Sequence, residues 1–398
     1  MQHVLEGIKV LDLSQHVSGP YCSLLLADMG AEVIRIDPPG GSQDSEFGPM
    51  APSGYSYNYI GKARNKKGIS LDISVPQGRD IFYQLVSRSD IVLENFPVDI
   101  KKKRGLEYEK LVEVNAAIIL VSISGFGLTG PDANRTCFDT IAQAFTGVMS
   151  ITGYPDGPPT RCGVAWIDYS TALHAAVGAL GAVRYRDKTG KGQLVDVSLV
   201  DTAFNLMVMR QAVTDYRLYG IEQTRTGNRL SYVYANSFLA KDGWVFISII
   251  RDGIWRKAAR AIGREDLQSD TRFASISGRG TPENQDKLDE IFSSWVAEKT
   301  TSEVIRVLSE AGVPCARINS VAEAIAEPQI ASRGIVAEID QPGVGKVAVC
   351  GTVVKMSESP GRIERPAPVL GEHNEEIYCG LLGYTSERLA DLKAARII

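Results

Sequence analysis

The sequence predicts an α/β protein: a parallel sheet covered on both faces, with a smaller α+β unit inserted in the chain. Three observations lead there. Through the first 125 residues, short apolar runs alternate with amphipathic stretches of helical period. The runs are continuously apolar, as strands buried on both faces are. Near residue 222 the pattern shifts to a hairpin followed by helices, and near 325 it shifts back. The domains expected are therefore 1–221, a large α/β domain; 222–325, a small α+β domain; and 326–398, a C-terminal segment completing the large one.

In chain order, KVLDLS (9–14) is the first strand, and GPYCSLLLADMG is a helix stopped by Gly30. EVIRID (32–37) is the second strand. After a Gly/Ser/Pro loop, SLDIS (70–74) reads as the third and QGRDIFYQLVSRSD as a helix. IVLENF (91–96) and AIILVSIS (117–124) are strands again. Helices dominate from Phe138 to Tyr219, broken by LVDVSLV (194–200), and 220–235 is polar and linker-like. SFLAKDGWVFISII forms two strands around an Asp242-Gly243 turn. Three helical stretches follow, with Gly263 and Gly312 where C-terminal glycines belong. VPCARI returns to strand, and IVAEIDQPGVGKVAV is a hairpin with Pro342-Gly343 at its tip.

Bulk properties exclude several functions. The chain has 398 residues and a formal net charge of −4, so nothing global draws it to nucleic acid or to an anionic membrane. No apolar stretch is long enough to span a bilayer, and MQHVLEGIKVLDLS lacks the form of a secretory signal. The six cysteines are scattered without a C-x-x-C pair, and the four histidines stand outside metal-ligand spacing. No metal site is expected, and reduced thiols fit a cytoplasmic protein.

Few local motifs carry chemistry. GFGLTG (125–130) follows a strand, but Pro131 and a polar stretch intervene before any helix, so a dinucleotide site lacks its helix N-terminus. KARNKKG (62–68) and KKKR (101–104) are basic clusters beside strand ends, where open α/β sheets bind phosphorylated ligands; solvated faces are the bland alternative. His16 stands just past the first strand, whereas His174, in an Ala-rich helix, reads as a packed core residue. RCGVAWID (161–168) brings Asp168 to the lip of an apolar helix, where it either caps that helix or does chemistry.

Read together and in order, LEGIKVLDLSQHVSGPYCSLLLADMGAEVIRID, RNKKGISLDIS, DIVLENF, GLEYEKL, SISGFGLTGP and TGKGQLVDVSLVDTAFNL resemble the family III coenzyme A transferases. That family includes formyl-CoA transferase, the carnitine CoA-transferases and the α-methylacyl-CoA racemases. Fainter similarity continues through DGWVFISI, IWRKAARAIG, AGVPCARI and LGEHNEEI. The resemblance implies a Rossmann-like large domain, an inserted small domain and an interlocked dimer. It also implies that Asp168 is a covalent nucleophile passing CoA through mixed-anhydride and aspartyl-CoA thioester intermediates, with Asp139 supporting it. Racemases of the family place a histidine before that supporting carboxylate; here Phe138 stands there and cannot move a proton. Racemisation and a catalytically silent CoA-binding subunit are the alternatives.

No tightly bound cofactor is implied; coenzyme A and acyl-CoA are substrates. CoA contacts are expected from His16, Arg35, Lys66, Leu71, Asn95, Phe96 and Lys103; the resemblance implies Asn95, Phe96 and Lys103 and the backbone of Leu71. There are departures: ENFRPG becomes ENFPVD, Pro38 and Thr136 replace basic residues, and no glycine run occurs near Asn228–Asn236. Arg161, Arg210, Arg225 and Arg229 are candidates to hold a second carboxylate or are surface residues. The donor expected is succinyl-CoA-like. The acceptor is a carboxylic acid such as a dicarboxylate or substituted succinate, an aromatic one included. Both a homodimer and a heteromer with a related subunit fit.

Overall fold

A computed structural model describes residues 3–230 and 232–398. The chain forms two compact units: one comprises residues up to Val148, Cys162–Arg217 and Ala331–Ile398, the other Met149–Arg161 and Leu218–Ile330. The short segment Met149–Arg161 thus belongs with the second unit, although it lies well before residue 222 in sequence.

The first unit is built on a sheet of six parallel strands, β1 (Lys9–Asp12), β2 (Glu32–Asp37), β3 (Lys66–Ser70), β4 (Ile91–Glu94), β5 (Ile119–Ser124) and β6 (Leu194–Ser198), in the order β3-β2-β1-β4-β5-β6. Adjacent residues on each strand serve opposite faces. Leu11, Ile34, Ile69 and Val92 pack against Ile81, Phe82 and Leu85 and against the C-terminal residues Tyr378, Leu389 and Ile397. Val10, Val33, Leu93 and Val121 pack instead on Leu26 and on Ala172, Ala175 and Ala179.

Strand β3 corrects the sequence expectation. The strand is KKGIS rather than SLDIS, so part of the basic cluster is itself β-structure. Parallel pairing sets Lys66 opposite Val33 and Gly68 opposite Arg35, and Lys66 is fully buried.

The helices of this unit include α1 (Ser18–Asp28), α2 (Tyr57–Ala63), α3 (Pro76–Val86), α4 (Val98–Arg104), α5 (Tyr108–Val114), α6 (Asp139–Phe145), α7 (Trp166–Thr189) and α8 (Leu199–Met209). Helix α7 turns its alanines to the sheet, and a Cβ on Gly178 would lie 2.6 Å from Val195 Cγ1. Its other side carries Tyr169, Leu173, Val177 and Tyr185, all exposed. The Ala-rich run looked buried all round because both sides are apolar. His174 is exposed rather than packed in the core, with Nδ1 2.8 Å from the Ser170 carbonyl oxygen.

In the second unit, the antiparallel strands Tyr234–Ala240, Gly243–Ile249 and Cys315–Arg317 pack on helices around Trp255, Phe273 and Phe292. Among the described residues no helix is long and apolar enough to cross a membrane.

Candidate functional site

In the order β3-β2-β1-β4-β5-β6 the chain reverses direction between β1 and β4, and ligands of open parallel sheets bind in the crevice at the carboxyl ends of such strands. The loop leaving β1 is tied there. Asn95, just past β4, accepts from the Gln15 N–H at 2.9 Å and donates to the Gln15 carbonyl at 2.7 Å. His16 follows in the left-handed region, φ 68°, uncommon for a residue with a side chain. Both of its peptide groups are held: its N–H donates to Asp44 at 3.2 Å, and its carbonyl accepts from Lys62. Helix α1 can start close behind because residue 19 is glycine; a Cβ there would lie 2.2 Å from Ser14 Cβ.

Asp168 is in the first turn of α7, yet its side chain does not cap the helix. Asp139 does so from the start of α6, accepting from the N–H groups of Ile167 at 2.8 Å and Asp168 at 3.3 Å. Gln143 donates to the other Asp139 oxygen and accepts from the Cys162 N–H, fastening the loop between the two helices. The cap is thus supplied by one carboxylate and the other is left over.

Among the described residues the side-chain partner of Asp168 is Ser18, whose hydroxyl donates at 3.2 Å. Burial, and then the neighbouring Asp139 charge, push the Asp168 pKa up to about 6, against the pull of Ser18 and Lys62. Burial and the Asp168 charge in turn raise the Cys137 thiol to about 11. A carboxyl of this kind is ionised at neutral pH but more basic than an ordinary aspartate. It has the properties of a nucleophile or a proton acceptor.

The other expected residues divide. His16 lies in the crevice loop, its ring edge-on to Phe138 at 5.6 Å. Asn95 holds the Gln15 peptide groups of that loop, and Phe96 next to it lies under the Arg104 guanidinium at 4.4 Å. Lys103 is exposed on α4, 3.9 Å from Asp99.

Three of the expected contacts are buried. Arg35 is 1 % exposed and engaged by Asp37 at 2.8 Å and Asp44 at 2.9 Å. Lys66 has no exposed surface and donates to Asp12, the Pro20 carbonyl and Ser23 at 2.8–3.0 Å. Leu71 is a core residue whose N–H is taken by the Asp37 carbonyl. Of the arginines considered for a second carboxylate, Arg229 pairs with Asp286 and Asp289, and Arg225 donates to the carbonyls of Tyr154 and Pro155. Arg161 and Arg210 are exposed.

The sequence reading missed Ser18 and Lys62. Lys62 belonged to a recognised basic cluster, but nothing local distinguishes it from Lys66; Ser18 reads as an ordinary helix-start serine.

Comparison with known proteins gives the family. Residues 5–374 match the family model described as CoA-transferase family III. The chain is 37% identical over 397 residues to the succinyl-CoA–D-citramalate CoA-transferase of Chloroflexus aurantiacus, covering 99% of this chain and 98% of that one. It is 32% identical over 400 residues to the succinyl-CoA–L-malate CoA-transferase beta subunit of the same organism, again over 99% and 98%. The crystal structure of a CAIB/BAIF family protein from Brucella suis superposes with a TM-score of 0.83 at 31% identity, over 96% of this chain and all of that one.

Proposed function

This chain belongs to CoA-transferase family III, and from that premise we propose that it carries coenzyme A from succinyl-CoA to a substituted succinate, with Asp168 as covalent relay. The observation that carries the proposal is the state of Asp168: half-buried, raised in pKa, relieved of capping by Asp139 and touched by one hydroxyl. The acid class follows from the relatives. D-Citramalate and L-malate, which their names give, are both hydroxylated succinates.

The chemistry balances without water. An Asp168 oxygen attacks the thioester carbonyl, the C–S bond breaks, and CoA leaves as thiolate with a mixed anhydride on the enzyme. The thiolate then attacks the Asp168 carbonyl carbon and expels succinate as a carboxylate, leaving an aspartyl-CoA thioester. The acceptor carboxylate attacks that thioester, and the two steps run in reverse to release the new acyl-CoA and free Asp168. Asp139 acts by fixing the N–H groups of residues 167 and 168. We propose that Asn95 and Phe96 contact CoA and that Lys103 meets its phosphates, which the tie of Asn95 to the loop after β1 and the exposure of Lys103 support. A point-charge lysine there contributes to binding rather than to the chemical step.

The test is intact mass. After incubation with succinyl-CoA the wild-type chain should gain the mass of a CoA thioester on the peptide containing Asp168, and hydroxylamine should remove it. A chain active in transfer but never charged would sink covalent relay. The racemase alternative needs an imidazole near Phe138, and His16 has that contact. Incubating a 2-methylacyl-CoA in heavy water should show no deuterium at the α-carbon by NMR; rapid incorporation would favour racemisation.

We also propose an interlocked dimer, supported by family resemblance and by the exposed ridge Tyr169, Leu173, Val177 and Tyr185 on α7, an apolar surface suited to burial against a partner. Interlocked chains separate only by unfolding, so tagged and untagged dimers should not exchange over hours. Prompt exchange would exclude interlocking, and a chain insoluble alone would point to a heteromer, as the word subunit in one relative's name does for that protein.

A further inference from the structure

We propose that Lys62 is the cation that holds the reacting carboxylate of the free acid, both as succinate departs and as the acceptor enters; this rests on the covalent relay above. Lys62 closes α2 with 7 % of its surface exposed. Its ammonium donates to the His16 carbonyl, and among the described residues it has no other hydrogen bond and no ion pair. An ammonium carries three donors, so two are left in a place where leaving them unmet is unfavourable. Four residues on, Lys66 has all three donors met inside the protein. The two lysines come from one basic cluster, and Lys62 alone of the pair is left with donors for a ligand.

Its position matches the reaction. The carbonyl it holds belongs to His16, two residues before Ser18, whose hydroxyl is on Asp168. Asp139 keeps a second negative charge beside Asp168, so a free carboxylate entering this place meets repulsion unless a cation faces it. Burial lowers the Lys62 pKa to about 8, with Asp44 and Asp168 opposing that fall, and the side chain is still charged at neutral pH.

Charge is conserved through the cycle. While Asp168 is a free carboxylate, it is the charge Lys62 sees; once Asp168 is an aspartyl-CoA thioester it is neutral, and the free acid carries the charge instead. Lys62 passes from one carboxylate to the other, and during each mixed anhydride between them the negative charge is on the CoA thiolate.

The experiment uses succinyl-CoA and succinate as probes, with intact mass as readout, on the wild type and three variants. Lys62→Gln keeps a donor for the His16 carbonyl and removes the charge, Lys62→Met removes both, and Lys62→Arg keeps both. The succinate concentration that half-saturates the initial rate of discharge of isolated CoA adduct should rise about tenfold or more in Lys62→Gln and Lys62→Met, the equivalent of about 1.4 kcal/mol. The succinyl-CoA concentration that half-saturates the initial rate of charging should move less than about threefold in both, and Lys62→Arg should stay within about threefold of wild type throughout. An unchanged succinate dependence of the discharge rate in Lys62→Gln would overturn the proposal and leave Lys62 only as the clamp on His16. Equal rises in both half-saturating concentrations would overturn it too, as a general distortion of the crevice. Absence of any adduct on the wild type would be a different failure, that of the covalent relay itself.

Discussion

Asp12 and Asp168 are two aspartates at the same end of one unit, and their surroundings are opposite. Asp12 ends β1 with no exposed surface. Burial alone would raise its pKa, but Lys66 at 3.0 Å, the Arg35 charge and the hydroxyls of Ser14 and Ser23 outweigh it and hold the carboxyl below the ordinary aspartate range. Asp168 is less buried and yet is pushed up to about 6 by burial and the Asp139 charge, which a single hydroxyl and the Lys62 charge do not offset. Burial is common to both; partners decide the sign. A fully paired carboxylate is part of the scaffold, and one denied partners is kept reactive. Lys66 and Lys62 differ in partners as well: the first gives all three donors to protein groups, the second one.

If that contrast is right, substitutions at its two ends should fail in different assays. The largest effect is expected for Asp168→Ala, which should lose more than about a hundredfold in turnover while binding CoA within a few-fold, as loss of a nucleophile does. Retained turnover would break the comparison at its reactive end.

Next is Lys66→Met, which leaves Asp12 charged, buried and without its cation. Urea denaturation should show a loss of about 3–5 kcal/mol in stability, the usual result of removing one member of a buried pair. If Lys66→Met were instead as stable as wild type and bound acyl-CoA weakly, the lysine would belong to the ligand after all.

The smallest effect sharpens the comparison. The Asp168 pKa is about 6 in the folded chain against an ordinary 3.8, so its charge opposes folding above pH 6, and that opposition disappears as pH falls toward 4. Asp168→Asn should therefore be more stable than wild type at pH 7.5 by on the order of 2 kcal/mol and no more stable near pH 4, read from urea midpoints at the two pH values. Wild-type transfer should lose rate below pH 6 for the same reason. Equal stability at pH 7.5 would mean that the Asp168 charge is not strained by its site.

The sequence by itself determined the alternation of strands and helices, the continuous apolar strands that demand cover on both faces, and the hairpins at Asp242-Gly243 and Pro342-Gly343. It also supplied the likeness that singled out Asp168, since ordered motifs survive in a linear text. It placed the third strand a few residues late, because lysines at 66 and 67 look like surface until parallel pairing beside β2 buries the first of them over Asp12. It left open whether Asp168 caps its helix, and Asp139, twenty-nine residues earlier, answered by taking the two N–H groups itself. It assigned Arg35 and Lys66 to a ligand without sight of the carboxylates that hold both inside the protein. Periodicity and turn chemistry are properties of neighbours in sequence and can be read there. The partners that set a charge's role are neighbours in space, brought together only when β1, β3, α1, α2, α6 and α7 fold around one crevice, and so the division of like residues into scaffold and chemistry was decided by the tertiary structure.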